Sequence, residues 1–209
     1  MLHSRILNKA GARLATAAVF GLAGLAMASA ETKWDMPTPY GDSNFHTQNI
    51  AAFADDVKAK TDGSVTITVH SAGSLFKHPE IKNSVRKGLA PIGEVLVSRL
   101  ANEDAVFGVD SVPFLAPSYD KAWKLYQASK PGLEEKLDEQ GLQLLFAVPW
   151  PPQGIYAKKE VTSGGDLKGL KFRAYNAATE RLAQLAGAVP TQVEVPDIAT
   201  AFPPGGWKP

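Results

Sequence analysis

The chain has 209 residues, 44% of them hydrophobic and 21% charged, and a formal net charge of +1. That is ordinary composition for one or two globular domains, with no basic block for nucleic acid and no acidic tail. Cysteine is absent, which excludes a disulfide framework and a thiolate metal site.

In chain order, Arg5, Lys9 and Arg13 precede an apolar run over 14–27, and Ala28-Ser29-Ala30 supplies a small-x-small cleavage site. This is the pattern of a secretory signal peptide over 1–30; the alternative is a membrane anchor, which the short run ending in a cleavage motif disfavours. The mature chain would start at Glu31 and lose three of the 22 cations, leaving 19 Lys+Arg against 21 Asp+Glu. No later stretch is long and apolar enough to span a membrane. "TKWDMP" reads as a first strand, and residues 40–48 read as a polar loop. Ile50, Phe53, Ala54 and Val57 then recur at helical spacing as far as Thr61, and Asp62-Gly63 ends that helix. "SVTITVH" alternates like a strand, and a second helix runs from Pro79 to Gly88.

Residues 89–97, "LAPIGEVLV", have strand length and apolarity. Ser118 can cap a helix presenting Ala122, Trp123 and Tyr126, and "PGLEEKLDEQG" reads as a separate short helix with Leu133 and Leu137 inward. "LQLLFAV" over 142–148 is expected as a buried strand. Strands alternating with helices predict an α/β fold with a largely parallel sheet. The stiff Pro149-Trp150-Pro151-Pro152 is read as the boundary between a lobe over 31–150 and a second over 151–209. In the second, "VTSGGDLKG" is a loop and "KFRAY" a strand with Lys171, Arg173 and Tyr175 on one side. Asn176 is then an N-cap for a helix over 177–186 whose apolar stripe is Ala178, Leu182 and Leu185, stopped by Gly187.

No catalytic or nucleotide-binding motif is present, and no catalytic residue, metal or cofactor is expected. His46, His70 and His78 have no partner at ligand spacing and are assigned surface or capping roles. The chemistry that remains is binding. Arg173 lies toward the carboxyl end of a strand and before a helix N-terminus, where open α/β sheets take ligands. A guanidinium there can hold a carboxylate through paired hydrogen bonds, helped by backbone N–H groups of the next helix. Asn176 can cap that helix or reach the ligand. The alternative is an exposed strand-edge arginine.

"FADDVKAKTDGSVTITVHSAGSL", "VRKGLAPIG", "VDSVPFL" and above all "DLKGLKFRAYNAATERLAQLAGAVP" are similar to the DctP family, the substrate-binding proteins of TRAP transporters. The resemblance implies an α/β, two-lobed periplasmic binding protein type, closing on an organic carboxylate and delivering it to TRAP permease subunits driven by an ion gradient. It implies no catalysis. Arg173 matches the family's carboxylate-binding arginine. Where some relatives carry a second arginine, or another charged group, this chain has Gln153, and places that are acidic in some relatives hold Lys77 and Leu96. With Trp150 as a wall beside Gln153, the expected ligand is a monocarboxylate with an apolar or aromatic body; the alternative for Trp150 is packing in the hinge core. The ligand-binding set is thus Arg173, Asn176, Gln153 and Trp150.

The end of the chain departs from the family pattern. Reading "PPGGWK" one base out of frame permits Gly-Arg-Val-Glu, the family's continuation, which places a frameshift near Phe202. The expectation is an incomplete second lobe, with Val193, Val195, Ile198 and Phe202 deprived of partners. The alternatives are a truncated, inactive fragment of such a receptor, and a ligand-sensing module that docks on a membrane receptor. An enzyme on this fold would need a paired acid and base that the sequence does not offer.

Overall fold

The computed structural model describes residues 31–201. The signal-peptide expectation for 1–30, and the frameshift expectation at Phe202 with the tail over 203–209, lie outside those residues.

Two parallel strand pairs, each bridged by a helix, organise the chain. Strands β1 (Thr32–Pro37) and β2 (Val65–His70) pair in parallel, from Thr32 opposite Val65 to Pro37 opposite His70. Parallel neighbours need a crossover, and α1 (Phe45–Lys60) supplies it. Helix α1 starts inside the stretch read as a loop, because the Asn44 side chain accepts from the His46 N–H at 2.9 Å and caps it. Its buried face therefore extends back by one turn, so that His46, Ile50 and Ala54, spaced by four, all point inward. Met36, Ile50 and Ile92 form the core here, with Trp34, Phe53, Ile67 and Val69 against them. Asp62 and Gly63 both take positive φ and turn the chain into β2, as their sequence suggests.

Helix α2 (His78–Arg86) has Pro79 in its first turn and buries Ile81 completely. The run over 89–97 is not a strand. Pro91 has no N–H to give to a ladder. Glu94 N–H instead donates to the Pro37 carbonyl at 3.0 Å and Leu96 N–H to His78 Nε2 at 3.1 Å. Gly93 allows this close passage, since a Cβ there would meet Ile81 Cγ2 at 2.8 Å.

Residues 119–138 form one helix, α3 (Tyr119–Asp138), rather than two. Ser118 caps it as read, and it continues through Pro131 while Leu133 is buried. Trp123 is exposed and stacks on Tyr126 rather than entering a core. The expected strand over 142–148 is also absent: Leu145 and Phe146 are exposed, and no described strand pairs with this run.

The second strand pair is smaller. A 3-10 turn over Gly164–Leu167 leads into β3 (Lys171–Ala174), which pairs in parallel with β4 (Val189–Gln192), Arg173 lying opposite Thr191. The crossover helix is α4 (Ala177–Leu185), followed by the left-handed Gly187. Its packing reverses the expected stripe. Ala183 faces the sheet at 0% exposure and joins Leu167 and Ala188 in a small core, while Leu182 and Leu185 are 43% and 70% exposed. Val193 is buried rather than stranded. A 3-10 turn over Val195–Asp197 and the short α5 (Ile198–Ala201) end the described residues.

Candidate functional site

The polar residues of interest all follow the carboxyl ends of parallel strands: Thr38 and Tyr40 after β1, Arg173 to Asn176 around the end of β3, Gln192 to Glu194 at the end of β4. This is where a parallel sheet has no further ladder to satisfy, so side chains and backbone groups are free to converge.

Asn176 is held on both sides. Its Oδ1 accepts from Thr179 N–H at 2.9 Å and caps α4, while Nδ2 donates to Ser98 Oγ and Ser111 Oγ, each at 3.0 Å. The amide is committed to capping and to joining α4 to the 98–111 segment. Arg173 is partly buried. Its Nε donates to the Val193 carbonyl at 2.9 Å, and its guanidinium carbon lies 5.3 Å from the centre of the Tyr175 ring. These two contacts orient the guanidinium, and its Nη1 and Nη2 make no hydrogen bond among the described residues. Burial draws its pKa below the usual arginine value, an effect that the Glu194 carboxylate opposes.

Glu194 links this region to the first strand pair. Its Oε1 accepts from Arg99 Nη1 at 2.7 Å and its Oε2 faces His78 Nδ1 at 3.1 Å. Since His78 Nε2 accepts from Leu96 N–H, the proton sits on Nδ1 and is donated to Glu194. The His78 hydrogen bond, with Arg99 beside it, holds the Glu194 carboxyl below its ordinary pKa. With its amide oxygen turned to Arg99, Gln192 accepts from Nη1 at 2.7 Å and Nη2 at 3.2 Å. Arg99 is thereby neutralised by protein, whereas the outer nitrogens of Arg173 are not.

Trp150 closes an aromatic wall. Its ring centre lies 4.3 Å from that of His46 and 5.2 Å from those of Tyr40 and Phe45, and Tyr40 also meets His78 edge-on at 6.0 Å. Beneath the wall, Thr38 Oγ1 donates to Glu94, and Glu94 Oε1 faces His46 Nδ1 at 3.7 Å. Burial lowers the His46 pKa to about 4, so the ring is neutral at pH 7, and it raises that of Glu94 against the hydrogen bond from Thr38. His46 Nε2 is buried without a hydrogen-bond partner among the described residues. Burial first, and the Glu94 charge second, push the Tyr40 hydroxyl up, so it remains a donor.

Of the four expected residues, Arg173 lies in β3 and Asn176 just after it, while Trp150 packs on Tyr40. Gln153 is exposed, donates to the Pro151 carbonyl at 3.2 Å and is not brought to them. Sequence reading missed Tyr40, Arg99 and Glu194 and assigned His46 and His78 to the surface. Both histidines are buried. The four-residue spacing from His46 to Ile50 and Ala54 is a signal that could have placed His46 inward. Glu194 could have been found from its place just after β4. Among the described residues no three His, Asp or Glu side chains converge as a metal site.

The family described as bacterial extracellular solute-binding protein, family 7 (DctP), matches residues 39–205. Two Bordetella pertussis extracytoplasmic solute receptors that bind pyroglutamic acid, DctP6 and DctP7, are 47% and 50% identical, with TM-scores of 0.81 and 0.80. Each match covers 85% of this chain and 59% of the receptor. A marine-metagenome TRAP solute-binding protein with co-purified pyroglutamate is 47% identical over 83% of this chain and 57% of its own, at a TM-score of 0.80. The chain spans about half the length, 49%, of one curated relative it matches, a solute-binding protein of Albidiferax ferrireducens at 24% identity.

Proposed function

The chain belongs to the DctP family of TRAP solute receptors, two-lobed extracytoplasmic binding proteins rather than enzymes, and from that premise we propose that it binds pyroglutamate or a closely similar small cyclic monocarboxylate. The observation that carries the proposal is the guanidinium of Arg173, oriented by Val193 and Tyr175 but with its outer nitrogens unengaged among the described residues. A carboxylate can take two parallel hydrogen bonds from those nitrogens. Arg99 is already matched by Glu194, which leaves one uncompensated cation and favours one carboxylate over two. A flat five-membered ring suits the aromatic wall, and the Tyr40 hydroxyl is a donor for the lactam carbonyl. The near-half identity to three receptors whose ligand is pyroglutamate supports the same choice. In this reading residues 31–150 form one lobe and 151 onward the other, Asn176 positions the cleft, and the receptor hands its acid to a TRAP permease from the periplasm.

The test is a thermal-shift series with pyroglutamate, a dicarboxylate and an aromatic 2-oxo acid. A ligand at a hundredfold excess over Kd adds about 2.7 kcal/mol of stability. The expected result is a shift with pyroglutamate that Arg173→Met abolishes. A shift with the dicarboxylate alone, or one that survives Arg173→Met, overturns the proposal.

A further inference from the structure

His46 is 3% exposed, and its Nε2 is the one buried side-chain polar atom left without a hydrogen bond among the described residues. The polar groups around it are served. Thr47 Oγ1 donates to the Tyr40 carbonyl at 3.1 Å, and Thr38 Oγ1 donates to Glu94. An orphaned nitrogen destabilises a fold, because it gives up its bond to water and receives nothing in return. Such a local violation is tolerated where a ligand removes it.

The proton on the ring decides what kind of partner fits. His46 Nδ1 faces Glu94 Oε1 at 3.7 Å. A lone pair on Nδ1 would point at a carboxylate oxygen, so the favoured tautomer carries its proton on Nδ1 and a lone pair on Nε2. Burial draws the pKa down to about 4, which keeps the ring in this neutral form at pH 7. Nε2 is therefore an acceptor that needs a donor.

The ring lies in the first turn of α1, beyond the carboxyl end of β1, where parallel sheets take ligands. Its centre is 5.5 Å from that of Tyr40 and 4.3 Å from that of Trp150. Contacts continue from Tyr40 to His78 at 6.0 Å and from His78 Nδ1 to Glu194 at 3.1 Å. The carbonyl of the preceding Val193 then holds Arg173 Nε at 2.9 Å. We propose that His46 Nε2 accepts the ring N–H of the ligand, while the Tyr40 hydroxyl donates to the adjoining carbonyl. This role rests on the reading of the ligand as pyroglutamate and extends it to what sets specificity. The pair reads the edge of a lactam, an N–H beside a C=O. A lactone of the same shape presents a ring oxygen there, and its lone pair meets that of Nε2. Sites built around a ligand N–H strongly reject an analogue that lacks it, because the buried group is left unpaired.

The experiment titrates the chain calorimetrically with pyroglutamate and with its γ-lactone isostere, in which a ring oxygen replaces the N–H. The same titrations are run on His46→Phe, which keeps an aromatic ring and removes the acceptor. The wild-type chain is expected to prefer the lactam by about a hundredfold or more, and His46→Phe to bring the two affinities within about tenfold of each other. A ratio of two affinities in one protein is not moved by a general loss of stability. Should His46→Phe misfold, nitrogen NMR of the histidine-labelled wild-type chain gives the second measurement. The expected result is an unprotonated Nε2 in the free chain, whose resonance moves upfield when pyroglutamate binds. Equal affinity for lactam and lactone, a preference that survives His46→Phe, or a proton on Nε2 overturns the role of His46 and leaves the proposed function standing. Binding of neither acid overturns both.

Discussion

The two strand pairs share a plan and differ in what they enclose. In the first, six-residue strands and a sixteen-residue helix bury Met36, Ile50 and Ile92 among Trp34, Phe53, Ile67 and Val69. In the second, four-residue strands and a nine-residue helix enclose Leu167 with two alanines, and the large aliphatic residues of α4 point away. Burial free energy follows apolar area, so the first pair holds itself together and the second depends on its neighbours. Yet the second carries Arg173, the charged group of the proposed ligand site. Its placement rests on polar links to the first region, from Asn176 to Ser98 and Ser111 and from Glu194 to Arg99 and His78.

The contrast is broken or upheld most directly by truncating one aliphatic residue from each helix. Ile50→Ala is expected to cost about 2–5 kcal/mol in urea unfolding, as large core truncations do. Leu185→Ala should stay within about 0.5 kcal/mol. Equal losses would erase the distinction. Next in size is the seam. Asn176→Ala removes a cap and the donors to two serines, an expected loss of about 1–3 kcal/mol. Asn176→Asp keeps the cap oxygen and loses only the donors, so calorimetry should find it intermediate; a cost equal to that of alanine would assign the whole effect to the seam.

A further contrast is pH dependence in the first region. His46 titrates near 6.5 when unfolded and near 4 when buried, so the unfolded chain binds more protons between those values. Stability therefore falls as pH drops from 6.5 toward 4. His46→Gln should flatten that slope between about pH 7 and about pH 5 in urea midpoints. The neighbouring Glu94, its pKa raised by burial, works in the opposite direction, because the folded chain then holds the extra proton. An unchanged slope in His46→Gln would mean that His46 is not the group responsible.

Much of this was legible locally. Asn176 announces its cap, Asp62-Gly63 and Gly187 announce their turns, and "KFRAY" announces a strand with Arg173 near its carboxyl end. Such signals involve residues a few positions apart. The burial of His78 against Glu194 joins positions 116 residues apart, and Arg99 meets the same carboxylate across 95. No spacing rule reaches that far. Trp150 packs against Tyr40, Phe45 and His46, contacts that fit both a ligand wall and a hinge core.

The sequence by itself determined the caps at Ser118 and Asn176, the turns at Asp62-Gly63 and Gly187, the parallel α/β plan, and the placing of Arg173 ahead of a helix N-terminus, because caps, glycines and apolar periodicity act through neighbouring residues. Only the tertiary structure decided which runs became strands. The apolar segments 89–97 and 142–148 look as strand-like as β2, but a strand exists only where another backbone completes its hydrogen bonds. It likewise decided that two histidines lie inside the protein and that Arg99 is matched by Glu194 while the outer nitrogens of Arg173 are not. Those outcomes depend on which distant groups arrive opposite one another, and packing of the whole chain settles that.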